Sequence, residues 1–231
     1  MNRGVVVAVD GPSGSGKSSV AKGVAREFGY RYLDTGAMYR AATWWALHQQ
    51  IDLADGDAVT RAVAAATLVS GTDPDEPTIT IGGIDVSGPI RGPEVTEAVS
   101  VVSAVPGVRA HMRNLQRTCA ADALAAKSGI VVEGRDIGSE VLPDAAVKVY
   151  LTADAAVRAA RRAAQDADSA HGSDGVAATE AALRRRDDLD RTREHSPLRQ
   201  HEGATVIDAT DLDLTQTIAA VSDLVREAVS P

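Results

Sequence analysis

The stretch VVVAVDGPSGSGKSSVAKGVA (residues 5–25) runs from an apolar segment through three closely spaced glycines into a lysine, two serines and helix-forming residues. Its centre fits the P-loop pattern, in which a glycine and four further residues precede Gly-Lys-Ser. Glycines allow backbone N–H groups to converge on phosphate, and the next helix and the lysine add positive charge. We therefore predict a nucleoside triphosphate site formed by Gly11, Pro12, Ser13, Gly14, Ser15, Gly16, Lys17, Ser18 and Ser19.

Apolar runs alternate with helical patterns along the rest of the chain. Strands are predicted at 5–9, 30–33, 130–132, 147–151 and 205–207. Helices are predicted at 18–28, after Thr35 as the capping residue, and near the C-terminus. Strands that alternate with helices pair in parallel, so we expect an α/β fold of three α/β/α layers around a central parallel sheet.

Two segments interrupt this alternation. The sequence TITIGGIDV alternates apolar and polar residues on both sides of Gly82-Gly83, which predicts a hairpin within a small β insertion. The tract QDADSAHGSDG (165–175) has no large apolar side chain. We predict one domain, with the core at 1–66, 94–157 and 194–231, the β insertion at 67–93, and a separate region at 158–193.

The charge and the cysteine content exclude several classes of protein. The 231 residues carry a formal net charge of −8, which disfavours binding to nucleic acid or to an anionic membrane surface. Arginine nevertheless outnumbers lysine 20 to 4, and nine arginines fall within 158–199, which favours a site for a compact anion. Cys119 is the sole cysteine, so no intramolecular disulfide or cysteine-based zinc site forms. The apolar run at the N-terminus is too short for a signal peptide, and we expect a cytoplasmic protein.

Three polar clusters follow predicted strands or lie on predicted helices, and they are LDTGAMYR (33–40), EGRDIG (133–138) and RRRDDLDRTR (184–193). In open α/β sheets ligands bind at the carboxyl ends of the strands, where Arg135 and Asp136 are expected. In the third cluster Arg186, Asp190 and Arg193 share one helix face. With a P-loop, these clusters favour a phosphotransferase with two phosphorylated substrates.

Five motifs together carry a resemblance to a known family, and in chain order they are the P-loop, YLDTGAMYR, TITIGGIDVSGPIRG, VEGRDIG and RRRDDLDRTR…SPL. From about residue 4 to 210 the chain resembles the bacterial cytidylate kinase family. The resemblance implies phosphorylation of CMP and dCMP by ATP with Mg²⁺, which Ser18 would ligate. Such an enzyme has to exclude water, so we expect the region 158–193 to close over the site as a lid, with the tract 165–175 as the lid or its hinge.

The resemblance further assigns roles to individual side chains. Ser100, Arg109 and Asp136 would recognise the cytosine ring. Arg40 and Arg135 would hold the CMP phosphate, which Thr35 and Tyr39 would position. Asp190 and Arg193 would contact the nucleotide near the ribose. The phosphoryl group in transfer would be stabilised by Lys17, Arg158, Arg162, Arg186 and Arg191.

Two alternatives remain open from the residues alone. One is a kinase for another small acceptor, such as UMP, shikimate or dephospho-coenzyme A, against which the β insertion and Asp136 argue. The other is a P-loop module that senses ATP without transferring phosphate, which would not need a second cluster of arginines. With no heptad or exposed apolar stripe evident in the sequence, we expect a monomer.

Overall fold

Runs of β-branched residues form a five-stranded parallel sheet in the computed structural model. The structure describes residues 4–168 and 200–230 and, between them, residues 180, 181, 183–185, 187, 188, 192 and 198. The strands, in the order β2-β6-β1-β7-β8, are β1 (Val6–Asp10), β2 (Arg31–Asp34), β6 (Ile130–Gly134), β7 (Val147–Thr152) and β8 (Thr205–Asp208). Every neighbouring pair in this sheet is parallel, as predicted.

Helices cover both faces of the sheet. They are α1 (Lys17–Phe28), α2 (Thr35–His48), α3 (Gly56–Ala65), α4 (Pro93–Val102), α5 (Pro106–Ala125), α6 (Ala155–Asp168) and α7 (Leu214–Val229). Alternate residues of β1 point to opposite faces: Val7 and Val9 pack with α1 and α7, and Ala8 packs with α2, α3 and α5. The predicted three-layer α/β/α fold is thereby confirmed. None of the described helices is both long and apolar enough to cross a membrane.

The predicted hairpin is present in a small antiparallel sheet of three strands, β3 (Leu68–Ser70), β4 (Ile79–Ile81) and β5 (Ile84–Asp85). Gly82 and Gly83 make the turn with φ of 58° and 81°. A Cβ on Gly82 would lie 2.4 Å from the Trp45 ring, so the turn packs directly on α2. The sequence did not predict β3, and the insertion boundaries at 67 and 93 stay a prediction.

Adjacent strands bring the P-loop and the first two polar clusters, 33–40 and 133–138, together. β1 lies next to β6, with Asp10 opposite Gly134, so the P-loop and the segment after β6 leave the sheet at the same edge. β2 pairs with the other side of β6 and delivers Asp34 to this edge. A π-helical turn (Ile137–Val141) follows β6. Helix α6 includes the first four residues of the tract 165–175, and residues 169–175 lie outside the described residues.

Candidate active site

A cleft of about 850 Å³ opens at this edge of the sheet, which is the size of a small-molecule site. It extends from the P-loop across the loop after β6 to α2 and α5. The predicted site residues that line it are Ser13, Gly14, Ser15, Gly16, Lys17, Ser18, Ser19, Thr35, Tyr39, Arg40, Arg109, Arg135, Asp136 and Arg162. Residues assigned to two different substrates therefore share one cavity.

The P-loop needs its glycines for reasons of space and of backbone conformation. Gly11 has a φ of 151°, and a Cβ there would lie 2.0 Å from the carbonyl oxygen of Leu151. Gly14 has a φ of 77°, and its Cβ would lie 2.8 Å from a backbone oxygen of α6. Helix α1 begins directly after Gly16, which supplies no side-chain cap. The first turn of α1 is therefore left to bind an anion, which its dipole also favours.

A buried carboxylate stands beside the P-loop at the end of β6. Glu133 Oε2 accepts a hydrogen bond of 3.0 Å from Ser18 Oγ, and Oε1 accepts one from the Tyr32 hydroxyl. Burial, and next the charge of Asp34, raise the pKa of Glu133, whereas the nearby Lys17 ammonium lowers it. Lys17 Nζ donates to the carbonyl oxygen of Pro12 at 2.6 Å. Hydroxyl and carboxylate oxygens are the ligands that Mg²⁺ prefers, so Ser18 and Glu133 fit a magnesium site.

Four guanidinium groups surround the part of the cleft opposite the P-loop, and they belong to Arg40, Arg91, Arg135 and Arg162. Burial, and next the positive charges of Arg162, Arg91 and Arg135, lower the pKa of Arg40 to about 10, while Asp34 acts in the opposite direction. Arg40 Nη1 donates to the carbonyl oxygen of Ile90 and to the hydroxyl of Thr96 on α4, each at 3.0 Å. Like charges repel, so such a cluster is suited to an anion of high charge.

The far wall contains a buried ion pair. Arg109 Nη2 lies 2.5 Å from Asp136 Oδ2, and both side chains are almost fully buried. Arg109 Nη1 also donates to the carbonyl oxygen of Ser103 at 3.1 Å, and the guanidinium lies 5.5 Å from the ring centre of Tyr39. Charged, hydrogen-bonded groups held this rigidly can recognise the polar edge of a ligand.

One predicted role is wrong: Asp34, not Thr35, caps helix α2. The Asp34 carboxylate accepts the hydrogen bond from the N–H of Ala37 at 2.9 Å. Thr35 is instead the first helical residue, and its hydroxyl donates to the carbonyl oxygen of Glu133 at 2.6 Å. A carboxylate is the stronger acceptor for helix N–H groups, and the threonine hydroxyl then ties α2 to β6.

Arg158 lies behind the P-loop rather than on the cleft wall. Its Nη1 donates to the carbonyl oxygen of Ser13 at 2.9 Å and pairs with Asp187 Oδ2 at 2.5 Å. Asp187 Oδ1 accepts from the N–H of Ser13 at 3.2 Å, and both charged side chains are buried. The geometry gives Arg158 a supporting contact with the P-loop, and its predicted contact with the transferring phosphoryl group stays a prediction.

Seven further predicted residues are not placed on the cleft wall. Gly11 and Pro12 come just before the P-loop residues that line the cleft and are absent from its lining. Ser100 is half-buried on α4 and is absent from the lining, where Ser103 is found instead; its carbonyl oxygen accepts from the Ser103 hydroxyl at 3.3 Å. Arg186, Asp190, Arg191 and Arg193 lie outside the described residues.

Several lining residues were not predicted from the sequence. Arg161, which has no predicted role in the site, is half-buried and donates to the carbonyl oxygens of Ala209 and Leu212 at 2.8 and 3.0 Å. It lines the end of the cleft beyond the P-loop, with Asp213, Leu214 and Thr217. Glu133 directly follows the apolar residues of β6, and a carboxylate at the end of a buried strand is the signal by which the sequence indicates it.

Comparisons with known proteins identify the family of this chain. The cytidylate kinase family model matches residues 7–227. A cytidylate kinase of Streptomyces griseus is 52% identical over 222 residues, which cover 96% of this chain and 93% of the relative. One of Mycobacterium avium is 51% identical over 228 residues, covering 98% and 97%. The crystal structure of an uncharacterized protein from Eubacterium ventriosum shares the fold, with a TM-score of 0.54 and 12% identity over 96% of this chain and 98% of that one. With the family model matching nearly its whole length and relatives at half identity or more, the chain belongs to the cytidylate kinase family.

Proposed function

We propose that the protein transfers the γ-phosphoryl group of ATP to CMP and dCMP, yielding ADP with CDP or dCDP. The observation that carries this proposal is the shared cleft: a P-loop faces an arginine cluster and the buried Arg109–Asp136 pair across one cavity. A module that only senses ATP would not need the second cluster.

We assign ATP to the P-loop side of the cleft. The P-loop amides, the first turn of α1 and Lys17 would bind its phosphates. Its base would extend toward Arg161 and Leu214, whose planar guanidinium and half-exposed apolar side chain suit the faces of an aromatic ring. Ser18 and Glu133 would hold Mg²⁺, which neutralises phosphate charge when it is bound.

We assign the acceptor nucleotide to the opposite side. Arg40, Arg91 and Arg135 would bind its phosphate, with Thr35 and Tyr39 beside it. Asp136 Oδ2 pairs with Arg109, and Oδ1 would accept a hydrogen bond from the exocyclic amino group of cytosine. Uracil presents a carbonyl oxygen at that point, so two acceptors would face each other and UMP would be a poor substrate.

The chemistry requires positioning more than proton transfer. The attacking oxygen belongs to a phosphate that is already ionised, so no general base is needed. Lys17 and Arg162 would stabilise the negative charge of the transferring group, as would Arg186 and Arg191 from the predicted lid. Asp190 and Arg193 are proposed to contact the nucleotide, and Arg158 to support the P-loop. We also propose a cytoplasmic monomer.

The first experiment is to measure ADP release with ATP and Mg²⁺ against CMP, dCMP, UMP, AMP and shikimate. Turnover of CMP and dCMP far above the others is expected. Turnover of a different acceptor would keep the kinase activity and refute the assignment of Asp136. Binding of ATP without turnover of any acceptor would favour the sensing module.

A further inference from the structure

A buried carboxylate that none of the roles above uses ends strand β1. Asp10 is 1% exposed and is not among the residues that line the cleft. Its Oδ1 accepts from the N–H of Ile137 and its Oδ2 from the N–H of Gly138, each at 2.8 Å. Burying a carboxylate is costly, and strand packing alone would be served by an apolar residue such as the neighbouring Val9. The two hydrogen bonds therefore call for a functional explanation.

Those two donors belong to the residues that directly follow Asp136. The carbonyl oxygen of Asp136 accepts from the N–H groups of Glu140 and Val141 at 2.9 and 3.1 Å. Asp10 holds the N–H of Ile137, which is the other polar end of the same peptide unit. The 136–137 peptide is thus fixed on both sides, and with it the direction in which the Asp136 side chain leaves the backbone.

The fixed side chain is the one that faces the acceptor base. Asp136 must meet two partners at once, Arg109 in the wall and the ligand in the cleft. Such a carboxylate has to be held within about 0.5 Å of its productive position. We propose that Asp10 is a positioning residue for the acceptor nucleotide, which fixes the 136–137 peptide and thereby the base-reading carboxylate of Asp136. This inference rests on the proposed function.

The placement of Asp10 makes the expected effect selective. Its backbone leads into Gly11 and the ATP side of the cleft, whereas its side chain serves the acceptor side. Asp10→Asn keeps the backbone and the size of the side chain, but one end of the amide is a donor that faces an N–H group. We expect the KM for CMP to rise about tenfold, because that is the effect of weakening one charge-assisted hydrogen bond. The KM for ATP should stay within about twofold of the wild-type value.

The test is a double-mutant cycle of Asp10→Asn and Asp136→Asn, read as KM and kcat for CMP and for ATP. Because Asp10 acts through Asp136, the Asp10→Asn change should have little further effect on the KM for CMP once Asp136 is replaced. Ser222→Ala is the matched control, because it removes a hydrogen bond between the buried Ser222 and Glu27, away from the cleft. It should leave both KM values unchanged.

The outcomes separate this inference from the proposed function. Wild-type protein that does not phosphorylate CMP refutes the function itself. If CMP is phosphorylated, equal increases in both KM values, or additive effects in the cycle, overturn the role of Asp10. Circular dichroism establishes that each variant is folded, and Asp10→Ser serves as a second variant. If both Asp10 variants fail to fold, the carboxylate is structural and the inference is overturned.

Discussion

Replacing Asp136 with asparagine should reduce discrimination between cytosine and uracil. The change keeps the size of the side chain but removes the negative charge that faces Arg109 and the proposed base site. A hydrogen bond to a charged group contributes about 1.5–3 kcal/mol, so kcat/KM for CMP should fall by roughly 10- to 150-fold. The amide of asparagine can donate to the uracil carbonyl, so kcat/KM for UMP should stay constant or rise.

The loss of charge also affects stability, which the assay has to separate from selectivity. Removing one partner of a buried ion pair costs about 3–5 kcal/mol, and asparagine should lie at the lower end because it still accepts a hydrogen bond. We would measure the ratio of kcat/KM for CMP and UMP below the unfolding transition of the variant. Asp122→Asn on the exposed surface of α5 is the control. An unchanged ratio in the Asp136 variant would refute the assignment of base recognition to Asp136.

The other predictions concern three further buried carboxylates. Glu133→Gln should weaken the apparent Mg²⁺ affinity by about 10- to 100-fold, measured by titrating activity with Mg²⁺; unchanged affinity would exclude Glu133 from the metal site. Arg158→Ala leaves Asp187 buried and unpaired, so the free energy of unfolding should fall by about 3–5 kcal/mol in denaturant titrations, and a loss below 1 kcal/mol would contradict a structural role. Burial raises the pKa of Asp10 from 3.8 to about 6, so its contribution to stability is greatest below pH 4 and is lost as the pH rises through 6. Relative to Asp10→Asn, wild type should lose about 2 kcal/mol between pH 4 and 6, and parallel pH profiles would show that Asp10 does not titrate in this range.

The features that could be predicted from the sequence are local ones. The P-loop is a continuous motif between one strand and one helix, so its spacing alone locates it. The hairpin at Gly82-Gly83 is likewise specified by adjacent residues. The cap of α2 was misplaced by one residue because Asp34 and Thr35 are both good capping residues, and only the structure shows which accepts the hydrogen bond.

The features that the sequence did not predict depend on contacts between distant segments. Ser18 and Glu133 meet because β1 and β6 are neighbours, although they are 115 residues apart. Asp10 holds the N–H of Gly138 across the same pair of strands, and nothing near either residue in the chain indicates it. The sequence of its own helix shows no partner for Arg161, because the carbonyl groups to which Arg161 donates come from the segment after β8.

The contact between the hairpin turn and α2 provides an intrinsic optical probe. Trp45 packs against Gly82, and its indole nitrogen donates to the carbonyl oxygen of Ala62 at 3.1 Å. The chain has only one other tryptophan, Trp44, so Trp44→Phe leaves a single fluorophore at this contact. The emission of Trp45 then reports how the β insertion sits on α2, and titration with each nucleotide in turn reveals which one moves it, without any attached label.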